Sequence, residues 1–87
     1  MNIEKGRVCV SLAGRDKGKF LCVMSVDEQF VYVADGDERP LERPKKKNVK
    51  HIRATHASLI PEDINSNRSL KKALARLTSN EVIKQNV

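Results

Sequence analysis

Tryptophan is absent from this 87-residue chain, and its other aromatics are two phenylalanines and one tyrosine. Such scarcity argues against the stacking platform with which proteins read single-stranded bases. Phe20, Phe30 and Tyr32 fall instead within alternating apolar runs, where core or half-buried positions are expected. No apolar run reaches the roughly 18 residues a membrane span needs, and no apolar leader is visible, so neither membrane insertion nor export is expected. Two cysteines, Cys9 and Cys22, are too few for a disulfide framework, and both are expected to stay reduced in a cytoplasmic protein. His51 and His56 have no cysteine or acid at ligand spacing, so no metal site is expected. Phosphate-loop, dinucleotide and triad patterns are missing as well, which points away from an enzyme and from any cofactor.

What is present is charge. Lysine and arginine number 17 against 11 acids, a formal net charge of +6. A surplus of that sign favours a polyanionic partner, most commonly nucleic acid. The charge is also segregated. Residues 27–38 hold Asp27, Glu28, Asp35, Asp37 and Glu38 and no base, whereas residues 39–56 hold Arg39, Arg43, Lys45, Lys46, Lys47, Lys50 and Arg53 against Glu42 alone.

Periodicity supplies the scaffold. Val8, Val10 and Leu12 alternate with Arg7, Cys9 and Ser11; Phe20, Cys22, Met24 and Val26 alternate with Leu21, Val23 and Ser25. Period-two patterns on both sides of a polar break predict an antiparallel hairpin. Gly14 and Gly18 suit the chain reversal between them because glycine accepts positive φ. A turn centred on Asp16 sets Cys9 opposite Val23 and Cys22 opposite Val10, with the two thiols on opposite faces. Val8, Val10, Leu12, Phe20, Cys22 and Met24 form the expected core face. Phe30 to Ala34 reads as a third strand, Asp35-Gly36 as a tight reversal, and Asp37 to Glu42 at best as an edge strand, since Pro40 cannot donate to a ladder. Arg43 to Asn48 reads as a basic loop held extended by Pro44, and Val49 to Thr55 as a last strand.

Five short strands in so few residues predict a mainly β fold, a small, partly open SH3-like barrel. After Leu59-Ile60-Pro61 the period changes: Leu70, Ala73, Leu74 and Leu77 predict an amphipathic helix over 67–77, with cap residues at Asn65, Ser66 and Asn67. Thr78-x-x-Glu81 before Val82 and Ile83 predicts a further helical turn. The expected organisation is a barrel over 1–60 and a helical extension over 61–87, packed on the barrel or on a partner.

Two basic patches are candidates for phosphate contact. Arg15, Lys17 and Lys19 stand at the hairpin tip, where a glycine-bounded loop also offers backbone N–H groups. Arg39, Arg43, Lys45, Lys46, Lys47, Lys50 and Arg53 form the denser patch, and each cation placed on a phosphate releases a counterion. With no aromatic platform, contacts to phosphate and sugar are expected rather than base reading. The acidic turns at Asp35, Asp37 and Glu38 are the alternative, as a protein-docking surface.

Gly6-Arg7-Val8-Cys9-Val10, Gly14-x-x-Lys17-Gly18-Lys19 and the apolar run to Val26 resemble the KOW motif. Val33-Ala34-Asp35-Gly36, Arg43-Pro44-Lys45 and Lys50-His51 extend the similarity to the single-KOW large-subunit ribosomal proteins of the archaeal and eukaryotic type and their small bacterial relatives. The resemblance spans residues 4–56. It implies an SH3-like fold, a non-catalytic role on ribosomal RNA in the cytoplasm, neighbouring ribosomal proteins as further partners, and a tip loop that approaches RNA. A monomer is expected when free. The alternative within the same family is a KOW module that docks on transcription or translation machinery; a helix-turn-helix over the C-terminal third is a weaker third reading.

Overall fold

The structure, a computed structural model, describes residues 3–78. Strands β1 (Arg7–Ser11), β2 (Phe20–Asp27), β3 (Phe30–Ala34), β4 (Lys45–Asn48) and β5 (Ile52–Ser58) precede one helix, α1 (Asn67–Thr78). All strand pairs are antiparallel and form a single sheet in the order β4-β3-β2-β1-β5, open between its edges β4 and β5.

The hairpin register differs from the expected one by two positions: Val8 faces Cys22 and Cys9 faces Leu21. The reversal is centred nearer Arg15 because Gly18 N–H donates back to Ser11 O at 2.8 Å. Cys9 and Cys22 still lie on opposite faces, each in a different core cluster.

Both faces of the sheet are buried, not one. Val8, Cys22 and Ala34 pack with Leu59 and with Leu70, Ala73 and Leu74 of α1, while half-buried Phe20 and Met24 join them. On the other face Cys9, Leu21, Val23, Val31 and Val33 pack with Ile52. That cluster joins edge strand β5 to β3, so the sheet curls across it. Leu12 falls outside both clusters and is 38% exposed.

Two segments depart from expectation. Asp37 to Glu42 forms no strand, and the basic segment Lys45–Asn48 does, pairing Val31 with Lys47 and Tyr32 with Lys46. Asp35 Oδ1 accepts from the N–H groups of Asp37 and Arg39 at 2.8 and 2.9 Å, which closes residues 35–39 into a turn instead. Val49–His51 is a short 3₁₀ turn, so the last strand begins at Ile52 and runs to Ser58.

Helix α1 starts where its caps predict. Ser66 Oγ accepts from Ser69 N–H at 3.1 Å, and Leu70, Ala73 and Leu74 bury the apolar stripe. Asn67 binds the 41–42 segment with both ends of its amide, accepting from Leu41 N–H and donating to Glu42 Oε1, each at 2.7 Å. Gly36 lies so close to this first turn that an added Cβ would stand 2.3 Å from Asn67 O. The helical turn expected around Glu81 to Ile83 lies outside the described residues.

Candidate nucleic-acid interface

The hairpin tip is a folded loop rather than a loose one. Ser11 N–H donates to Lys19 O at 3.0 Å, Lys19 N–H to Asp16 O at 2.9 Å and Lys17 N–H to Gly14 O at 3.2 Å. Gly14 and Gly18 carry φ of +85° and +87°. This winding turns Arg15, Lys17 and Lys19 outward and the single acid, Asp16, inward.

Asp16 meets Lys47 there. Lys47 Nζ lies 3.0 Å from Asp16 Oδ1 and donates to Ala13 O at 3.1 Å, while Ser11 Oγ donates to the same carboxylate oxygen at 2.8 Å. Burial alone pushes the Asp16 carboxyl up, but the Ser11 hydroxyl and the Lys47 ammonium more than reverse it, with Lys45 adding to them. The group therefore sits below the usual carboxylate range.

Strand geometry divides the lysine triplet that reads as one patch in the sequence. Successive side chains of a strand point to opposite faces. Lys47 turns inward beside Val31 and is spent on Asp16, whereas Lys46 turns outward, its Nζ 4.2 Å from the centre of the Phe30 ring. Lys47 is therefore an internal strut and not an exposed cation. Lys45 shares its parity but is only half-buried.

The two basic segments do share one flank. Ala13 and Gly14 of the tip line a concavity together with Lys45, Lys46, Asn48 and His51, and Leu12 N–H donates to His51 O at 2.8 Å. A second concavity, lined by Arg39, Pro40, Arg43, Pro44 and Lys45 together with the acid Glu38, continues the flank. Lys50 and Arg53 are exposed beyond it, in the 3₁₀ turn and on β5. Among the described residues, Arg15, Lys17, Arg39, Arg43, Lys45, Lys46 and Lys50 make no salt bridge. Lys19 is paired with Glu38, which holds its ammonium pKa above the usual value.

The acidic turns are engaged within the molecule. Glu38 binds Lys19, Asp37 lies 3.5 Å from Lys71, and the Asp35 carboxylate holds backbone N–H groups. Sequence reasoning passed over Ser11 and Asp16, the inner half of the strut. The available signal was a lone acid within a run of bases, beside a serine at the end of an apolar strand.

A curled five-stranded antiparallel sheet, built on a glycine-bounded basic hairpin and backed by one helix, is a small SH3-like fold of the KOW kind. No family model matches the chain. The chain is 37% identical over 71 residues to large ribosomal subunit protein eL14 of Desulfurococcus amylolyticus, covering 79% of this chain and 74% of that protein. It is 33% identical over 73 residues to eL14 of Methanococcus maripaludis, covering 83% and 88% of the two chains. With eL14 of Saccharolobus solfataricus it shares 28% identity over 86 residues, 98% of this chain and 90% of that one. The chain belongs to the eL14 family of large ribosomal subunit proteins. The last alignment also takes in the C-terminal third, which the KOW resemblance alone left unmatched.

Proposed function

We propose that this chain is a non-catalytic component of a cytoplasmic large ribosomal subunit, monomeric when free, that binds rRNA phosphates through its basic flank. The observation that carries this reading is the placement of the tip loop against β4: Ala13 and Gly14 share a concavity with Lys45 and Lys46, and Arg15 and Lys19 share another with Arg39. Residues 1–60 carry the RNA contacts in this reading, with Lys50 and Arg53 at the border, and residues 61–87 face neighbouring ribosomal proteins. Family membership supports the assignment. Of the acidic turns' carboxylates, Asp35 is held by backbone amides, while Glu38 and Asp37 face Lys19 and Lys71 in exposed pairs.

Gel-shift binding to large-subunit rRNA transcribed in vitro tests it, along with cosedimentation with large subunits. Affinity should fall linearly on a log–log plot against salt, with a slope near −0.9 for each phosphate neutralised on duplex and about −0.7 on single strands. A protein that stays at the top of the gradient at low salt overturns the reading.

A further inference from the structure

Glu38 bridges the tip loop to the 35–39 turn through its salt bridge with Lys19. The concavity between these segments is lined by Arg15, Lys19 and Arg39 around it, with Asp16 and Asp35 at its walls. Asp16 is paired with Lys47, and Asp35 Oδ1 accepts from two backbone N–H groups, although the charges of both acids still reach Lys19. The 35–39 turn is closed by Asp35 N–H donating to Arg39 O at 2.9 Å, so Glu38 and Arg39 are presented at a fixed place. The hydrogen bond from Lys19, followed by the charges of Lys19, Arg39 and Arg15, holds the Glu38 carboxyl below its ordinary range. One small anion surrounded by cations drawn from two loops is the arrangement that a phosphate group also satisfies.

We infer that Arg15, Lys19 and Arg39 form a phosphate subsite which Glu38 fills in the free protein and which an RNA phosphodiester takes by displacing it. The inference rests on the RNA-binding reading above and names the place where one backbone phosphate sits. Displacement is easy, since the Lys19 and Glu38 side chains are 47% and 67% exposed and an exposed pair holds weakly. Glu38 thereby acts as a stand-in that keeps the cations gathered and lowers affinity for anions that cannot outcompete it.

Glu38→Gln tests this, with Asp37→Asn in the same turn and Glu28→Gln at the far end of β2 as charge-matched controls. All three positions are exposed, so folding is not at risk. Glu38→Gln should tighten binding to large-subunit rRNA by about three- to fivefold, within the range set by a surface ion pair. The controls should change it less than twofold, and Arg39→Ala in the Glu38→Gln background should erase the gain. An equal gain in all three single variants, or no gain at Glu38, overturns the inference. If the unaltered protein binds no rRNA, the ribosomal reading fails by itself, and inorganic phosphate then decides the subsite by amide NMR at constant ionic strength. Shifts at Arg15, Lys19 and Arg39 that saturate at lower phosphate in Glu38→Gln sustain it, and identical titrations of the two proteins overturn it.

Discussion

Lys47 Nζ and Asp16 Oδ1 lie 3.0 Å apart although 31 positions separate them, and their side chains are only 6% and 7% exposed. The pair fastens the basic hairpin tip to an edge strand across the open side of the sheet. Lys47→Met leaves a buried carboxylate with Ser11 as its one remaining side-chain hydrogen-bond donor among the described residues, and breaking such a pair typically costs about 3–5 kcal/mol. Replacing both partners, Asp16→Leu with Lys47→Met, should recover most of that loss because no buried charge remains. Urea midpoints of the two single variants and the double variant measure the coupling. Additive losses would show that the pair does not act as a unit.

The same pair sets a pH dependence. The Asp16 carboxyl is lowered in the folded protein relative to an unfolded aspartate near 3.9. A depressed folded value means that its contribution is fully present above the unfolded pKa. It is lost as pH falls below about 4 toward the folded value. Thermal midpoints between pH 6 and pH 2 should therefore drop more steeply for the natural chain than for the Asp16→Leu, Lys47→Met double variant. Parallel curves would show that the acid sensitivity lies elsewhere.

Much of this was legible in the residues, and the failures have physical causes. Alternation located β1, β2 and β3, and the spacing of Leu70, Ala73 and Leu74 located α1 within a residue or so of its ends. The strand at Lys45–Asn48 was illegible because lysine is a poor strand former. It pairs because β3 offers a ladder, Phe30 accepts Lys46 and Asp16 accepts Lys47. Residues 37–42 looked like the missing edge strand, yet the Asp35 carboxylate diverts them into a turn against α1. The second buried face escaped notice because Cys9, Leu21 and Val23 alternate as regularly as the first set; only curling of the sheet covers both. At the candidate interface, the sequence names the basic residues one by one. Which of them keep their charge on the surface depended on strand parity, and parity could not be assigned to a segment read as a loop.

Gly36 separates close approach from backbone conformation. Its φ is +81°, and a Cβ there would come within 2.3 Å of Asn67 O and 3.0 Å of Lys71 N. Gly18, at φ +87°, has nothing within 4 Å of the same position. Gly18→Ala should cost about 1–2 kcal/mol, the penalty of a left-handed L-residue. Gly36→Ala should cost distinctly more and should loosen α1, seen as faster amide exchange at Leu70 and Leu74. Equal losses at the two positions would mean that the turn and helix yield without resistance.

Burial pushes the Cys9 thiol up to about 12 and the Cys22 thiol up to about 11. The thiolate is the reactive form, and both side chains are fully buried. Native protein at pH 8 should therefore resist iodoacetamide, with both thiols reacting only as the chain unfolds. Labelling followed by mass spectrometry across a urea series should trace the unfolding curve. Rapid labelling of either cysteine without denaturant would contradict the packing of that face.

Alternation along β4 predicts opposite consequences for neighbouring lysines. Lys46 faces outward over Phe30, and its loss removes only an exposed cation–π contact, worth about 0.5–1 kcal/mol. Lys46→Ala and Lys50→Ala should each weaken rRNA binding similarly across RNA sequences and reduce the log–log salt slope by about one. Lys47→Met should leave that slope nearly unchanged at temperatures where the variant is folded, because its charge already belongs to Asp16. The comparison needs only gel-shift titrations at several salt concentrations, with circular dichroism to establish that each variant is folded. A slope that falls equally for Lys46 and Lys47 would return Lys47 to the surface and remove the distinction on which this interface is drawn.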